Sequence, residues 1–254
     1  SIAPGLHLID EEICAKDALT QLLDNKRIVG LIAVKEGAWL SEIKESFQNA
    51  GIPRKEIDRA FEKAILPKPF ISLEGLLFPA QYSFAKGTPI DRAIVEMISK
   101  GEREMVRAGF RGNTSKFNQQ DLLVIASIIQ AEGTDENFGK VSRVIYNRLK
   151  IGMPLQMDST VHYVQRQRGD IFLSTKSTLL NSPYNTYRNT GLPPAPIGNP
   201  GRNAMLAAVT PTPGDWLYFI TVAPGDTRFT RSFDEFNKWK LIYRANLRAG
   251  KFEK

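Results

Sequence analysis

The spacing of apolar residues along the chain predicts mostly helices, with a few short strands between them. The predicted helices are 8–24, one beginning near Ser41, 54–64, one beginning near Pro89, 118–132, 137–152, 204–209 and 233–250. Apolar runs predict a short strand at 28–34 and a hairpin at 215–233. Because the strand–helix–strand rhythm of a parallel sheet is missing, we predict an α+β fold.

Two prolines within residues 66–70 mark the best candidate for a domain boundary, because proline favours extended chain. Before it, a leading helix and a strand–helix–helix unit form a small N-terminal module, residues 1–68. The larger domain that follows, residues 69–254, is predicted to have mostly turns and short strands between 155 and 201. The segment 182–201 is too rich in Pro, Gly and Asn for a regular element and too long for a mere connector.

The helix that ends at Glu132 has the clearest signals in the chain. Asn118 is a good N-cap, and Asp121 stands three residues later, in the position of a capping box. An apolar stripe then continues from Leu122 to Ile129 at helical spacing. Three residues on, at about 100° per residue, the same stripe reaches Glu132. A carboxylate therefore occupies an inward-facing position.

A carboxylate on a buried helix face is costly while it is ionised, so it must find partners or hold a proton. A glutamic acid that stays protonated near neutral pH is what a general acid requires. The pattern also allows Glu132 to turn outward at a fraying helix end, or to pair with a nearby cation such as Arg143. Periodicity alone leaves these alternatives open.

Two other acids are candidates for site chemistry. Glu74 lies among apolar residues just past the domain boundary, which favours a buried structural ion pair. Asp158 precedes Ser-Thr, a context typical of turns and caps, although it could serve as a second carboxylate. A serine hydrolase would need His162, and the Gly-x-Ser-x-Gly turn that would serve it is missing.

The segment 182–201 combines aromatic rings with planar amides, which suit the apolar faces and hydroxyl rims of sugars. The side chains concerned are Tyr184, Asn185, Tyr187 and Asn199. A rigid, proline-rich surface loop explains the same composition equally well.

Composition changes this picture only a little. The formal net charge of +7 suits an anionic partner, but basic and acidic residues are interspersed, which favours a solvated surface over a nucleic-acid-binding one. His7 and His162 stand in no ligand cluster and no phosphate loop is present, so we expect no metal and no cofactor. Cys14, the single cysteine, is predicted to be a buried structural thiol because its neighbours at helical spacing are apolar.

Five blocks of this sequence resemble one known family in their order and spacing. They are LEGLLFPAQYSF, ASIIQAEG, VSRVIYNRLKIGMPLQMDSTVHY, PYNTYRNTGLPPAPIGNPG and LYFI. The family is that of the endolytic murein transglycosylases (MltG or YceG-like), and the resemblance covers about residues 28–245. It also includes a small LysM-like module before the catalytic domain, which IAVKEGAWLSEIKESFQNAGI resembles.

The resemblance implies a peptidoglycan lytic transglycosylase. Such an enzyme cleaves the β-1,4 bond between MurNAc and GlcNAc without water and leaves 1,6-anhydro-MurNAc ends. The catalytic acid of the family matches Glu132, which would act first as general acid and then as base. The residues that would bind sugar or orient this acid are Glu74, Asn147, Gln156, Asp158, Tyr184, Asn185 and Tyr187.

Several positions depart from the pattern of the family. Many relatives have a second Glu where this chain has Gln130, so Glu132 is the one carboxylate at this helix end. Arg228 and Phe236 stand where relatives often have histidines, so no histidine role carries over. Ala80 replaces an acid that commonly follows the proline of the first block.

The resemblance also implies a location and partners. We expect a domain on the outer side of the bacterial cytoplasmic membrane, tethered by a helix that would lie upstream of this chain. Glycan strands of peptidoglycan are the expected partner, together with cell-wall synthases, and nucleic acid is not expected. The alternatives are a two-carboxylate hydrolase, in which Glu132 acts with Glu74 or Asp158, and a non-catalytic glycan-binding scaffold.

Overall fold

The computed structural model of the protein describes residues 2, 6–85, 87–112, 116–168 and 173–252. Within these ranges the α-helices are α1 (Ala15–Leu23), α2 (Leu40–Asn49), α3 (Arg54–Glu62), α4 (Ile90–Arg107), α5 (Gln119–Glu132), α6 (Phe138–Lys150), α7 (Asp158–Gln165), α8 (Thr175–Thr178), α9 (Arg202–Val209) and α10 (Phe233–Arg248). The strands are β1 (Leu6–His7), β2 (Ile28–Val29), β3 (Leu31–Val34), β4 (Ala80–Ser83), β5 (Tyr218–Ala223) and β6 (Asp226–Thr230). The strands form antiparallel pairs, β1 with β2, β3 with β4 and β5 with β6. Helices combined with small antiparallel sheets confirm the predicted α+β class.

The chain divides into two compact units. The first comprises residues 1–104 together with 198–201, and the second comprises 105–197 and 202–254. In the first unit Ile32 of β3 lies opposite Tyr82 of β4, and both side chains are buried. Residues beyond the predicted boundary at 68 therefore contribute a strand to the first unit, and the boundary itself stays a prediction.

Two helices, α2 and α3, supply much of the core of the first unit. Helix α2 packs against both β3 and α3. Phe47 on α2 and Phe61 on α3 meet edge to face, with ring centroids 5.7 Å apart. Ile43 and Ile57, one on each helix, are fully buried. The inward-facing residues of both helices thus supply the interior of this unit.

The prediction of a buried thiol at Cys14 is wrong, because this side chain is exposed. Helix α1 has no buried residue, and its Leu19 and Leu23 are 51% and 52% exposed. The thiol of Cys14 lies within hydrogen-bonding reach of the Asp17 carboxylate, with 3.3 Å between Sγ and Oδ2. Apolar residues at helical spacing identify a helix here, but they do not make it an interior one.

Helix α5 forms the centre of the second unit. All residues from Leu122 to Ile129 are buried, and α6, α7 and α9 pack against the helix. A helix that is apolar all round belongs in an interior, whereas the spacing predicted only one buried stripe. The predicted capping box is confirmed, since the Asn118 side chain accepts from the Asp121 N–H at 3.0 Å and the Asp121 side chain from the Asn118 N–H at 3.1 Å.

The prediction of turns and short strands between 155 and 201 is wrong where α7 and α8 occur. Thr160 and Val161 of α7 are fully buried, and α7 packs on α5. Because β-branched residues are weak helix formers, packing rather than propensity explains this helix. The predicted hairpin and last helix are present, and α10 packs on β5. Among the described residues, no helix is both long enough and apolar enough to cross a membrane.

Candidate active site

Glu132 is the last residue of α5, where the chain turns toward α6. Gly133 follows it, and a Cβ atom there would lie 2.6 Å from Oδ1 of Asn137 and 2.9 Å from the ring of Phe138. A side chain at position 133 would push these groups apart, so glycine allows Phe138 at the start of α6 to lie close to the end of α5. Glu132 itself is half-buried.

The N-terminus of α7 meets the Glu132 carboxyl. The backbone N–H of Ser159, the second residue of α7, donates to Oε1 of Glu132 at 3.0 Å. No other described residue donates to this carboxyl with good geometry, so Oε2 has no donor. The unpaired N–H groups and the dipole of a helix N-terminus favour negative charge. The carboxylate form is therefore stabilised through one oxygen only.

Burial raises the pKa of Glu132 above its usual value, and this is the largest influence on it. The hydroxyl and backbone N–H of Ser159 act in the opposite direction, as does the positive charge of Arg148. The negative charge of Asp158 raises the pKa further. Opposed influences of this kind are typical of a group that must both hold and release a proton.

The structure contradicts both alternatives for Glu132, pairing with Arg143 and turning outward at the helix end. The guanidinium of Arg143 donates to the carbonyl oxygens of Thr212 at 2.7 Å and Pro211 at 3.0 Å, so the alternative pairing of Glu132 with Arg143 is wrong. Glu132 is bonded to Ser159 and half-buried rather than turned out into solvent.

Two predicted site residues, Asp158 and Tyr187, form a hydrogen-bonded pair near Glu132. The phenol of Tyr187 donates to Oδ1 of Asp158, which is the first residue of α7. Burial and then the charge of Asp158 raise the pKa of Tyr187, so this phenol stays protonated and remains a donor. Burial, and then the same Asp158 charge, also raise the pKa of Tyr243 on α10.

Arg148 is a buried cation close enough to Glu132 to influence its charge, and only 6% of it is exposed. Its Nε donates to the Leu217 carbonyl at 2.7 Å, and its Nη1 donates to the Leu155 carbonyl at 2.6 Å. The guanidinium also lies 5.4 Å from the ring centroid of Tyr218. Burial lowers the pKa of Arg148, but a guanidinium remains charged in proteins. The site therefore contains a fixed positive charge held by backbone carbonyls.

Thr186, in the segment 182–201, joins this segment to the start of α7 through hydrogen bonds. Its hydroxyl accepts from the Met157 N–H at 3.0 Å and lies 3.0 Å from the Thr160 hydroxyl, while its carbonyl accepts from the Gln156 N–H at 3.0 Å. Gln156 has φ of +47°, an uncommon conformation for a residue other than glycine. Strain of this kind clusters at functional sites, and here it lies two residues before Asp158.

Three further predicted site residues make contacts that shape the unit. Asn185 is fully buried, and its Nδ2 donates to the carbonyl of Leu180 at 2.8 Å and to that of Thr178, at the end of α8, at 3.0 Å. Asn147 donates to the Trp216 carbonyl at 2.8 Å, just before β5. Tyr184 is half-buried, with its ring centroid 5.3 Å from that of Tyr163. The two amides are therefore engaged with the backbone.

Glu74 belongs to the first unit, where it is 4% exposed, so its predicted burial is confirmed. The N–H of Leu40, the first residue of α2, lies 3.0 Å from Oε1 and 3.2 Å from Oε2 of Glu74. Oε1 also accepts from Nδ2 of Asn199 at 3.0 Å. The partners of this carboxylate thus include a helix N-terminus and an amide.

Comparison with known proteins shows which family the chain belongs to. The model of the YceG-like family matches residues 1–240, which include Glu132, Asp158, Ser159 and Tyr187. The chain belongs to the YceG-like family. The predicted family membership is confirmed.

Two curated relatives and one solved structure show how far the similarity to this YceG-like chain extends. The endolytic murein transglycosylase of Bacillus subtilis (strain 168) is 40% identical over 173 residues, which are 67% of this chain and 48% of the relative. The endolytic murein transglycosylase of Streptococcus pneumoniae serotype 2 is 31% identical over 175 residues, 65% of this chain and 31% of the relative. The chain thus spans about half of the first relative and about a third of the second. A crystal structure of a YceG-like protein from Listeria monocytogenes matches with a TM-score of 0.68 at 28% identity, covering 88% of this chain and 80% of that one.

The sequence pattern missed three residues of this YceG-like site, namely Arg148, Ser159 and Tyr243. Ser159 stands beside the candidate Asp158, but only the start of α7, which was not predicted, brings its N–H to Glu132. Arg148 lies one residue after the candidate Asn147, and a charged residue on a helix is usually expected to be exposed. Its burial depends on carbonyl groups far away in the sequence, which spacing does not reveal.

Proposed function

We propose that this YceG-like chain carries the catalytic site of a peptidoglycan lytic transglycosylase. The enzyme cleaves the β-1,4 bond between MurNAc and GlcNAc inside glycan strands and leaves 1,6-anhydro-MurNAc ends. The observation that carries the proposal is the state of Glu132: its pKa is raised by burial, one oxygen is held by a helix N-terminus, and the other receives no hydrogen bond from the described residues. The curated relatives are named endolytic murein transglycosylases, which supports the same class of substrate.

Protonation of the leaving oxygen is the first step of the proposed reaction. Burial raises the pKa of Glu132, which increases the fraction that holds a proton near neutral pH. Because the Ser159 N–H occupies Oε1, the proton is carried by Oε2. The Oε2–H group donates this proton to the glycosidic oxygen as its bond to C1 of MurNAc breaks, and GlcNAc leaves with a free hydroxyl.

Closure of the anhydro ring is the second step. Glu132, now a carboxylate, takes the proton of the MurNAc 6-hydroxyl as that oxygen bonds to C1. The acid gives one proton and regains one, so it returns to its starting state. Between the steps, the α7 N-terminus and the positive charge of Arg148 stabilise the carboxylate. Because the nucleophile belongs to the substrate, no second carboxylate is needed to activate water.

The surroundings of the other acids support the single-acid scheme over a two-carboxylate hydrolase. Asp158 accepts from the phenol of Tyr187, and its charge raises the pKa of Glu132, which helps to keep the acid protonated. Glu74 accepts hydrogen bonds from Leu40 and Asn199 in the first unit, which favours a structural role.

We assign the remaining candidates in two groups. Gln156, Tyr184 and Tyr187 are proposed to contact sugar rings, through an exposed amide and two half-buried rings. Asn147 and Asn185 are proposed to position these groups, because their amides bind backbone carbonyls in the hairpin and the loop.

The first unit is proposed to include a LysM-like module that binds glycan. The order β3–α2–α3–β4, with β3 and β4 antiparallel, supports this assignment. The substrate implies a location on the outer side of the cytoplasmic membrane, with a membrane tether and with cell-wall synthases as neighbours.

The products of glycan digestion test the proposed reaction. Intact glycan strands are expected to give fragments that end in 1,6-anhydro-MurNAc, as measured by mass spectrometry. Reducing ends that are heavier by one water would establish the hydrolase instead, and the absence of cleavage would favour the non-catalytic scaffold.

A substitution at Glu132 tests the residue itself. Glu132→Gln is expected to lower the cleavage rate about 10³-fold, because glutamine cannot give a proton although it keeps the shape of the side chain. Glu136→Gln, at an exposed acid in the turn after α5, is the matched control and should cleave like the wild type. Full activity of Glu132→Gln would refute the assigned role.

A further inference from the structure

Ser159 contacts Glu132 in the structure through its backbone, while its side chain is left over. Its backbone N–H donates to Glu132, but its hydroxyl is buried and has no hydrogen-bond partner of good geometry among the described residues. Buried hydroxyl groups without a partner are rare, because each one costs free energy. This unpaired hydroxyl belongs to the same residue that holds the carboxyl group of the proposed acid.

We propose that the Ser159 hydroxyl is a positioning group that responds to the protonation state of Glu132. This inference rests on the proposed function, in which Glu132 is first an acid and then a base. When Glu132 is ionised, the hydroxyl rotates and donates to the carboxylate beside the backbone N–H. When Glu132 is protonated, the hydroxyl is released and stands without a partner.

The geometry at the start of α7 explains why one residue can do this. A backbone N–H is fixed in direction, whereas a serine hydroxyl turns about its own bond to suit an acceptor. An ionised acceptor forms a markedly stronger hydrogen bond than a neutral one, so the hydroxyl gains most once Glu132 has lost its proton. The direction of its effect agrees, since the Ser159 hydroxyl lowers the pKa of Glu132.

A second consequence concerns which oxygen of Glu132 carries the proton. Both donors of Ser159 act on the same carboxyl group, and the fixed one occupies Oε1. The proton is thereby directed to Oε2, to which no described residue donates and which is the oxygen that reaches the substrate. Ser159 in this way selects the reacting oxygen without touching the substrate.

Ser159→Ala tests the proposal, with two further variants beside it. Ser159→Thr keeps a hydroxyl at the same position. Ser142→Ala is the matched control, because Ser142 on α6 is fully buried and its hydroxyl has no hydrogen-bond partner in the described part of the chain, but it is not among the groups that influence Glu132. Alanine is favourable in helices, so the fold is expected to survive the substitution in α7.

We expect Ser159→Ala to move the alkaline limb of the kcat/KM profile to higher pH. The reason is that loss of a donor to the carboxylate raises the pKa of Glu132 further, so the acid form persists into more alkaline solution. The plateau value of kcat should fall about tenfold, since the carboxylate between the two steps loses one hydrogen bond. Ser159→Thr should restore both properties, and Ser142→Ala should leave the limb in place.

A limb that stays at the wild-type pH in Ser159→Ala would overturn the proposal, even if kcat fell equally at every pH. Titration of the Glu132 carboxyl by carbon-13 NMR in the wild type and in Ser159→Ala tests the proposal independently of catalytic activity. Equal pKa values of Glu132 in the two proteins would also overturn the proposal. Failure of the proposed function is distinguishable, since Glu132→Gln would then remain active or the products would carry reducing ends.

Discussion

Two glutamates, the buried Glu74 of the first unit and the half-buried Glu132 of the second, each accept a hydrogen bond from the N-terminus of a helix. Glu74 receives the N–H of Leu40 at the start of α2, and Glu132 receives the N–H of Ser159 at the start of α7. They differ in the second oxygen. Both oxygens of Glu74 lie within reach of the Leu40 N–H, and Oε1 also accepts from Asn199, whereas no residue in the described part of the chain donates to Oε2 of Glu132.

This difference separates a structural carboxylate from a chemical one. A carboxylate surrounded by donors is stable as an anion and holds its neighbours in place. Within the described residues Glu132 has one donor, and it also has a neighbouring negative charge at Asp158 and a pKa raised by burial, so its protonated form is stabilised as well. Burial at a helix N-terminus therefore does not identify an acid catalyst until the donors to each oxygen are counted.

The largest expected effect in this comparison is the loss of stability when Glu74 is removed. Glu74→Ala leaves the N–H of the half-buried Leu40 and the buried amide of Asn199 without this acceptor, which should lower the free energy of unfolding by about 2–3 kcal/mol. Denaturant unfolding measures the loss, and amide hydrogen exchange at Leu40 localises it.

The control for Glu74→Ala is Glu74→Gln, which keeps one acceptor oxygen for the Leu40 N–H and should lose less. Equal stability of the wild type and Glu74→Ala would remove the contrast between the two carboxylates. It would mean that the hydrogen bonds around Glu74 are replaced by water at no cost.

The sequence predicts the helix that carries Glu132 but not the donor that meets it. The capping box at Asn118 and Asp121 is local, so spacing alone locates the start of α5. The N–H of Ser159 comes from a helix whose β-branched residues favour strands, and packing on α5 creates it. Local rules therefore predict where the acid lies, while its chemistry depends on contacts between segments distant in sequence.

Asp158 provides an intermediate effect, opposite in direction to that of Ser159. Its negative charge raises the pKa of Glu132, so Asp158→Asn should lower this pKa and move the alkaline limb of kcat/KM to lower pH. Asparagine keeps an oxygen that can accept from the phenol of Tyr187, which preserves the pair. The pH profile of glycan cleavage is the measurement.

The control for Asp158→Asn is again the exposed acid, with Glu136→Gln expected to leave the limb where it is. A limb that moves to higher pH in Asp158→Asn would contradict the assigned direction. It would indicate that Asp158 acts on Glu132 through the position of α7 rather than through its charge.

The smallest expected effect is on stability, and its sign follows from the raised pKa of Glu132. Below the usual pKa of 4.5, Glu132 is protonated in both the folded and the unfolded chain, so its ionisation does not change the free energy of unfolding. As pH rises, the unfolded chain ionises first, and the folded chain loses stability until its own pKa is passed. Glu132→Gln should therefore raise Tm by about 2–4 °C near pH 8 and leave it unchanged near pH 4. Calorimetry at the two pH values measures this shift, and the control Glu136→Gln is expected to leave Tm unchanged at both. If Glu132→Gln instead lowered Tm equally at both pH values, the Glu132 carboxylate would stabilise the fold as Glu74 does.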